Sequence, residues 1–280
     1  MTQARVRMFN TPYAKVLQLF KGGTIEGAFY IPKPIVNGAQ ALFQDSAGTV
    51  PVTADGDPVG KMLDQSGNGN HASQSVSGSR PVYRTDGALH WLEGDGVDDN
   101  LIIPGSASTF KFMHDGTGGG VSVAVMSTTD DSYTQFIASQ RASTSNVGFA
   151  LLRVNRSNVG SENKTLGFEG LRGVFSALTF TVRENNEGFV NIPYVMRANY
   201  KNNGQSDDAN LFVNSLSLGD SPTVNSPSAE DSTTEVALFG NYFINASARI
   251  YGAVLRDETL LGTDGENVDK YLANLAGVTL

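Results

Sequence analysis

The stretch Val121-Ser-Val-Ala-Val-Met126 decides the fold. Its valines at 121, 123 and 125 recur every second residue, the spacing at which strand side chains return to one face. Further short apolar runs lie on either side: Ala88–Leu92 around Trp91, then Gln135–Ala138, Val147–Val154, Val174–Val182, Ile192–Tyr200, Asn210–Leu218, Glu235–Phe239 and Arg249–Leu255. The segments between them are rich in Gly, Asn, Asp and Ser, and that alternation of apolar runs and turn residues predicts an all-β, two-sheet sandwich. Asn199–Asn210 predicts a hairpin loop that turns at Asn203-Gly204, and Gly219–Thr234 a long surface loop.

One helix is expected, at the end of the chain. Thr263 and Glu266 have capping-box spacing, Val268, Tyr271, Leu272 and Leu275 form one helical stripe, and Gly277 is a natural stop. The opening 40 residues are interrupted by Pro12, Gly22, Gly23, Pro32, Pro34 and Gly38. They read as an extended arm with one short element at Tyr13–Phe20. The arm is basic: residues 1–44 carry Arg5, Arg7, Lys15, Lys21 and Lys33 against Glu26, while residues 45–280 carry 15 basic and 27 acidic groups. Such asymmetry marks either a solvated segment or an arm that docks on an acidic neighbour.

Composition excludes several functions. The net charge of −8 and pI of 4.9 speak against a broad nucleic-acid surface, which must displace cations from phosphates. The absence of cysteine excludes disulfides, thiolate metal ligands and thiol nucleophiles. No run of 18 apolar residues can span a bilayer as a helix, and Met1–Phe20 lacks the apolar centre of a secretory leader.

Two polar loops are candidates for a cation such as Ca²⁺. Asp64-Gln-Ser-Gly-Asn-Gly-Asn-His71 has turn-forming glycines and asparagines, but Asp64 is its one carboxylate. Glu93-Gly-Asp-Gly-Val-Asp-Asp-Asn100 carries Asp95, Asp98 and Asp99, which read as calcium ligands or as a plain turn between strands His90–Glu93 and Leu101–Ile103. Glu93-x-Asp95 lacks the second glutamate of a two-carboxylate glycosidase, and neither a nucleophile elbow nor a His-Glu-x-x-His zinc site is present. His71, His90 and His114 are separated in sequence and read as hydrogen-bonded structural residues. Trp91, the sole tryptophan, reads as a core anchor.

Leu42-Phe-Gln-Asp-Ser-Ala-Gly-Thr-Val-Pro-Val52, Asp64–Ala72, Arg80-Pro-Val-Tyr83 and His90–Asp99 resemble the opening of laminin-G-like, concanavalin A-like jelly rolls of the type found in bacteriophage structural proteins. Ala209–Asn214, Ala237–Gly240 and Ile250–Gly252 resemble that family's later strands, although Asn214-Ser215 stands where many members have Asn-Gly or Asp-Gly. The resemblance implies an antiparallel jelly-roll domain over 41–280, preceded by the basic arm over 1–40 that charge and Pro/Gly content predict. The resemblance does not by itself fix function, and the leading expectation is a non-enzymatic virion surface protein, a capsid decoration, head-fibre or tail component assembled in a bacterial cytoplasm. Its partners would be other virion proteins and copies of itself, attached through Arg5, Arg7, Lys15, Lys21 and Lys33, with no nucleic acid and no membrane insertion. The alternative is a carbohydrate-binding receptor or adhesin module that meets a host surface glycan. The third reading is a divergent glycoside hydrolase, because one fold hosts all three.

Overall fold

The computed structural model describes residues 11–130, 133–139, 147–156, 163–172, 178–185, 189–201, 209–221, 230–241 and 244–280. Two antiparallel sheets face each other. The front sheet contains β1 (Gly27–Tyr30), β2 (Val82–Thr85), β3 (His90–Asp95), β4 (Gly119–Ser127), β5 (Tyr194–Tyr200), β6 (Ala209–Val213), β7 (Leu216–Ser221) and β8 (Ser247–Arg256). Their order is β7-β6-β5-β4-β8-β3-β2. β8 pairs with β4 along one edge and with β3 and then β1 along the other. The back sheet runs in space from Leu178–Asn185 through Asn163–Arg172, Val147–Arg156 and Tyr133–Ala138 to Leu101–Ile102 and Leu42–Phe43.

The alternation in β4 works as its sequence predicts. Val121, Val123 and Val125 enter the core between the sheets, with Phe136, Phe149 and Phe168 from the back sheet. Ala124 and Met126, of opposite parity, face outward into a second apolar layer. That layer is covered by two helices, α1 (Pro12–Gln18) and α2 (Gly262–Ala276). Phe29 of β1 and Trp91 of β3 belong to it, so Trp91 is buried as expected but lies outside the inter-sheet core.

The sequence reading places a boundary at residue 40, and the structure carries the fold across it. β1 is a fully buried strand of the front sheet, and α1 packs on α2. The short element expected at Tyr13–Phe20 is α1, capped by the Thr11 hydroxyl. Proline and glycine suggest an extended chain, but they fall between these elements. Gly27 is required where it is, because at φ +146° a Cβ would overlap the Leu255 carbonyl oxygen across the pairing. Arg256, itself buried, donates from Nε to the Leu19 carbonyl at 3.1 Å and ties the end of α1 to β8.

α2 carries the expected stripe and stops at Gly277 in the left-handed conformation. The capping box does not form: the N-cap is Leu261 rather than Thr263, so the helix begins two residues earlier, at Gly262, and Glu266 instead pairs with Lys270. The helix is held to the sheet by a buried ion pair. Arg197 Nε lies 3.0 Å from both Asp269 oxygens, and the Ser215 hydroxyl donates to Asp269 at 3.0 Å. Burial pushes the Asp269 carboxyl up, against the opposing pull of Arg197. Asn214-Ser215 turns β6 into β7 with positive φ at both residues, doing without glycine. The turn expected at Asn203-Gly204 lies outside the described residues. Gly219–Thr234 is part strand, since β7 runs to Ser221, and residues 222–229 lie outside the described set.

Candidate functional site

The strands β2, β3 and β8 form a small sheet surface beyond the reach of α2. Parity decides what it presents. In β3, Leu92 enters the core while Trp91, Glu93 and Asp95 face outward. In β8, Ile250 enters the core while Arg249 and Tyr251 face outward. The register sets Arg249 opposite Glu93, and Arg84 of β2 beside Trp91.

A groove of about 410 Å³ opens here, lined by Arg84, Glu93, Asp95, Asp99, Thr128 and Arg249 among others. Glu93 is its hub. It accepts from Arg249 Nε at 2.8 Å and from Trp91 Nε1 at 3.4 Å, and Arg84 Nε stands 3.6 Å away. The Arg249 guanidinium lies 4.8 Å over the Trp91 ring, a cation–π contact. Trp91 is therefore lidded by an arginine and offers no bare ring face to a ligand. The Thr128 and Ser247 hydroxyls, 2.8 Å apart, stand near the far end. Each polar group is held in place by a neighbour, so the surface is organised before any ligand arrives.

The acidic loop crosses from one sheet to the other. Asp95–Asn100 is the expected turn between two strands, and because β3 pairs in the front sheet and Leu101–Ile102 in the back sheet it forms a corner of the sandwich. Asp95 Oδ1 accepts from the Val97 amide at 2.8 Å, Asp98 Oδ2 from Ser79, and Asp99 Oδ2 from the Asp95 amide. The loop thus closes through its own N–H donors. Its three carboxylates keep oxygens within 4.8 Å of one another, which supplies part of a calcium shell of six to eight oxygens. Asp99 is buried, and desolvation, reinforced by Asp95 and Asp98, pushes its carboxyl up to about 6.

Asp64 is not part of this group. Its two oxygens accept from the Phe29, Ser66 and Asn70 amides and from the Ser66 hydroxyl, so it organises a turn against β1. The histidines are apart, as expected: His71 accepts from the Asp64 amide, His90 meets the Tyr83 hydroxyl, and His114 meets Ser232. No second glutamate faces Glu93 from afar among the described residues. Glu235 caps the short helix at Ser106–Thr109, and Glu169 lies on the back sheet.

Of the five cations assigned to an anchoring arm, Lys21 pairs with Glu258 at 3.3 Å, Lys15 sits in the last turn of α1, and Lys33 edges a pocket described below. Arg5 and Arg7 lie outside the described residues. The residues missed by sequence reasoning are Arg84 and Arg249. Their one signal is a charged residue at an outward position of an otherwise apolar strand, which becomes informative only when the partner strand is known.

No protein-family model matches this sequence, and no curated protein sequence matches it. Solved structures do. An arabinofuranosidase complexed with arabinofuranosyl-α-1,2-xylobiose aligns with a TM-score of 0.58 at 13% identity, over 93% of this chain and 64% of that one. A mutant of a GH54 α-L-arabinofuranosidase soaked with 4-nitrophenyl α-L-arabinofuranoside aligns at 0.57 and 12% identity, over 93% and 64%. A Trypanosoma rangeli sialidase complexed with 2,3-difluorosialic acid aligns at 0.50 and 11% identity, over 99% and 40%. The chain thus spans less than two thirds of the length of each. At these identities the likeness is one of fold, and it establishes an antiparallel, jelly-roll-like β-sandwich with a C-terminal helix.

Proposed function

We propose that this chain is a carbohydrate-binding β-sandwich that holds a glycan in the groove at Glu93. The observation that carries the reading is the prearranged row Arg84–Glu93–Arg249 on a sheet floor. Guanidiniums donate to sugar hydroxyls and carboxylates accept from them, and a rigid strand surface keeps the loss of side-chain freedom small. The structural neighbours add support, since two were solved in complex with a sugar or sugar derivative and the third was soaked with a glycoside. Binding without cleavage fits the groove. Glu93 is committed to two guanidiniums, while a glycosidase needs one carboxyl free to give a proton and another free to attack or to activate water.

The test is a glycan array probed with the full chain and with Arg249→Ala and Glu93→Gln. Binding that falls at least about tenfold in both variants, with unchanged folding, supports the groove. Array binding that ignores both variants overturns it.

A second proposal is that the module belongs to a virion surface. It is favoured by the resemblance of residues 41–280 to bacteriophage jelly rolls and by residues 1–21, which carry four cations and no carboxylate. Mass spectrometry of purified phage particles checks it, and consistent absence of the chain from them refutes it.

A further inference from the structure

A second cavity, of about 240 Å³, lies on the same outer face beyond Tyr251. The Tyr251 and Trp91 rings, 5.8 Å apart, separate it from the groove. Ile31, Leu89 and Leu275 supply the apolar part of its walls, where the loop after β1, the β2–β3 turn and the end of α2 converge. Its polar edge is Lys33, His90 and Asn274.

The charge of this cavity differs from that of the groove. Three carboxylates and two arginines line the groove, whereas no carboxylate lines the cavity. Among the described residues, the side chains of Lys33 and Asn274 make no hydrogen bond and no ion pair. The nearest acid in sequence, Asp86, is turned into its own loop, accepting from the Ala88 and Leu89 amides at 2.9 and 2.7 Å. His90 uses Nδ1 on the Tyr83 hydroxyl, at 2.6 Å, which leaves Nε2 for another partner. An ammonium without an ion pair in a small cavity of mixed polar and apolar lining suits an anion carried on a ring that also bears hydroxyls. The volume lies just below the roughly 300–1,000 Å³ of pockets for drug-sized ligands, which suits a single ring.

We propose that this cavity takes the carboxylate-bearing ring of a hexuronic acid, with Lys33 opposite the carboxylate and Asn274 and His90 as hydrogen-bond partners. The sugar half of the inference rests on the glycan reading of the groove, and the carboxylate half rests on Lys33. The glycan would then be an acidic polysaccharide whose neutral units lie along Glu93 and whose uronate units lie past Tyr251.

The experiment is isothermal titration of the full chain with D-glucuronate, D-glucose and benzoate, repeated with Lys33→Met, Ala88→Trp and Lys111→Met. Fluorescence of Trp91 and the melting temperature report whether each variant is folded. Glucuronate should bind at least about tenfold more tightly than glucose. Lys33→Met should remove that preference, Ala88→Trp should fill the cavity and abolish binding, and Lys111→Met, which removes a partly exposed cation paired with Asp231 and lining neither the groove nor the cavity, should leave glucuronate binding unchanged. Glucuronate binding that survives both Lys33→Met and Ala88→Trp, or no detectable binding at tens of millimolar, overturns the proposal. Binding of benzoate but not glucuronate overturns its sugar half. Failure of the groove reading shows separately, as array binding indifferent to Arg249 and Glu93.

Discussion

Replacing Phe29 by alanine should lower the stability of the whole protein, although the residue lies in a segment that sequence alone assigns to a detachable arm. Phe29 is fully buried. Its ring sits 5.7 Å from that of Tyr13 in α1 and 5.6 Å from that of Tyr271 in α2, the latter edge-on. Its amide donates to Asp64 at 2.9 Å, a bond the substitution keeps. The loss is therefore confined to the side chain: about 3–5 kcal/mol for a buried phenylalanine, including the two ring contacts at about 0.5–1.5 kcal/mol each. With a urea slope of about 3 kcal/mol/M, the midpoint should fall by about 1–1.7 M. Urea unfolding followed by far-ultraviolet circular dichroism and by Trp91 fluorescence measures this with two probes. A shift below about 0.3 M would mean that α1 and β1 release from the body before the sandwich unfolds, and the integration described above would be wrong. Deleting residues 1–40 should, for the same reason, prevent stable folding, because it bares one edge of β8 and the apolar underside of α2.

Trp91→Ala should cost about 3–5 kcal/mol in the same assay, and a wild-type midpoint would show that the ring is not buried. Asp99 holds its proton to about pH 6 in the folded state, well above an unfolded aspartate, so the folded protein binds more protons and stability falls as pH rises from about 4 to 6. Asp99→Asn should remove about 2 kcal/mol of that fall, leaving the share contributed by Asp257, also raised to about 6; thermal melts of both proteins from pH 4 to 7 check this, and parallel curves would refute it. The protein should release no reducing ends from bacterial surface polysaccharides, and release that disappears in Glu93→Gln would establish a glycosidase.

The sandwich was legible because strand parity is a local property. The valines of β4 report their own face without knowledge of any neighbour. The stripe of α2 and its glycine stop are local for the same reason. What was not legible depends on pairing between distant segments. Gly27–Tyr30 carries only four residues, and the partner that makes it a buried strand is more than 200 residues away. Thr263 and Glu266 have the right spacing for a cap, but a helix start two residues earlier leaves the pair unused. At the candidate site, Glu93 could be singled out from its strand, whereas the arginines that hold it come from β2 and β8 and meet it only through register. The acidic loop was legible as a turn between two strands, but which sheet the second strand joins is set by a distant partner.

The position of β8 has a consequence for synthesis on the ribosome. It is the last strand of the described chain to be made, yet it lies inside the front sheet, between β4 on one side and β3 and β1 on the other. Until Ser247–Arg256 leaves the exit tunnel, three earlier strands present unpaired edges, and the closing loops are among the longest this chain can form. Folding of the front sheet is thereby postponed until residues 247–256 have been translated, and a nascent chain stalled before residue 247 would display sticky edges rather than a smaller finished domain.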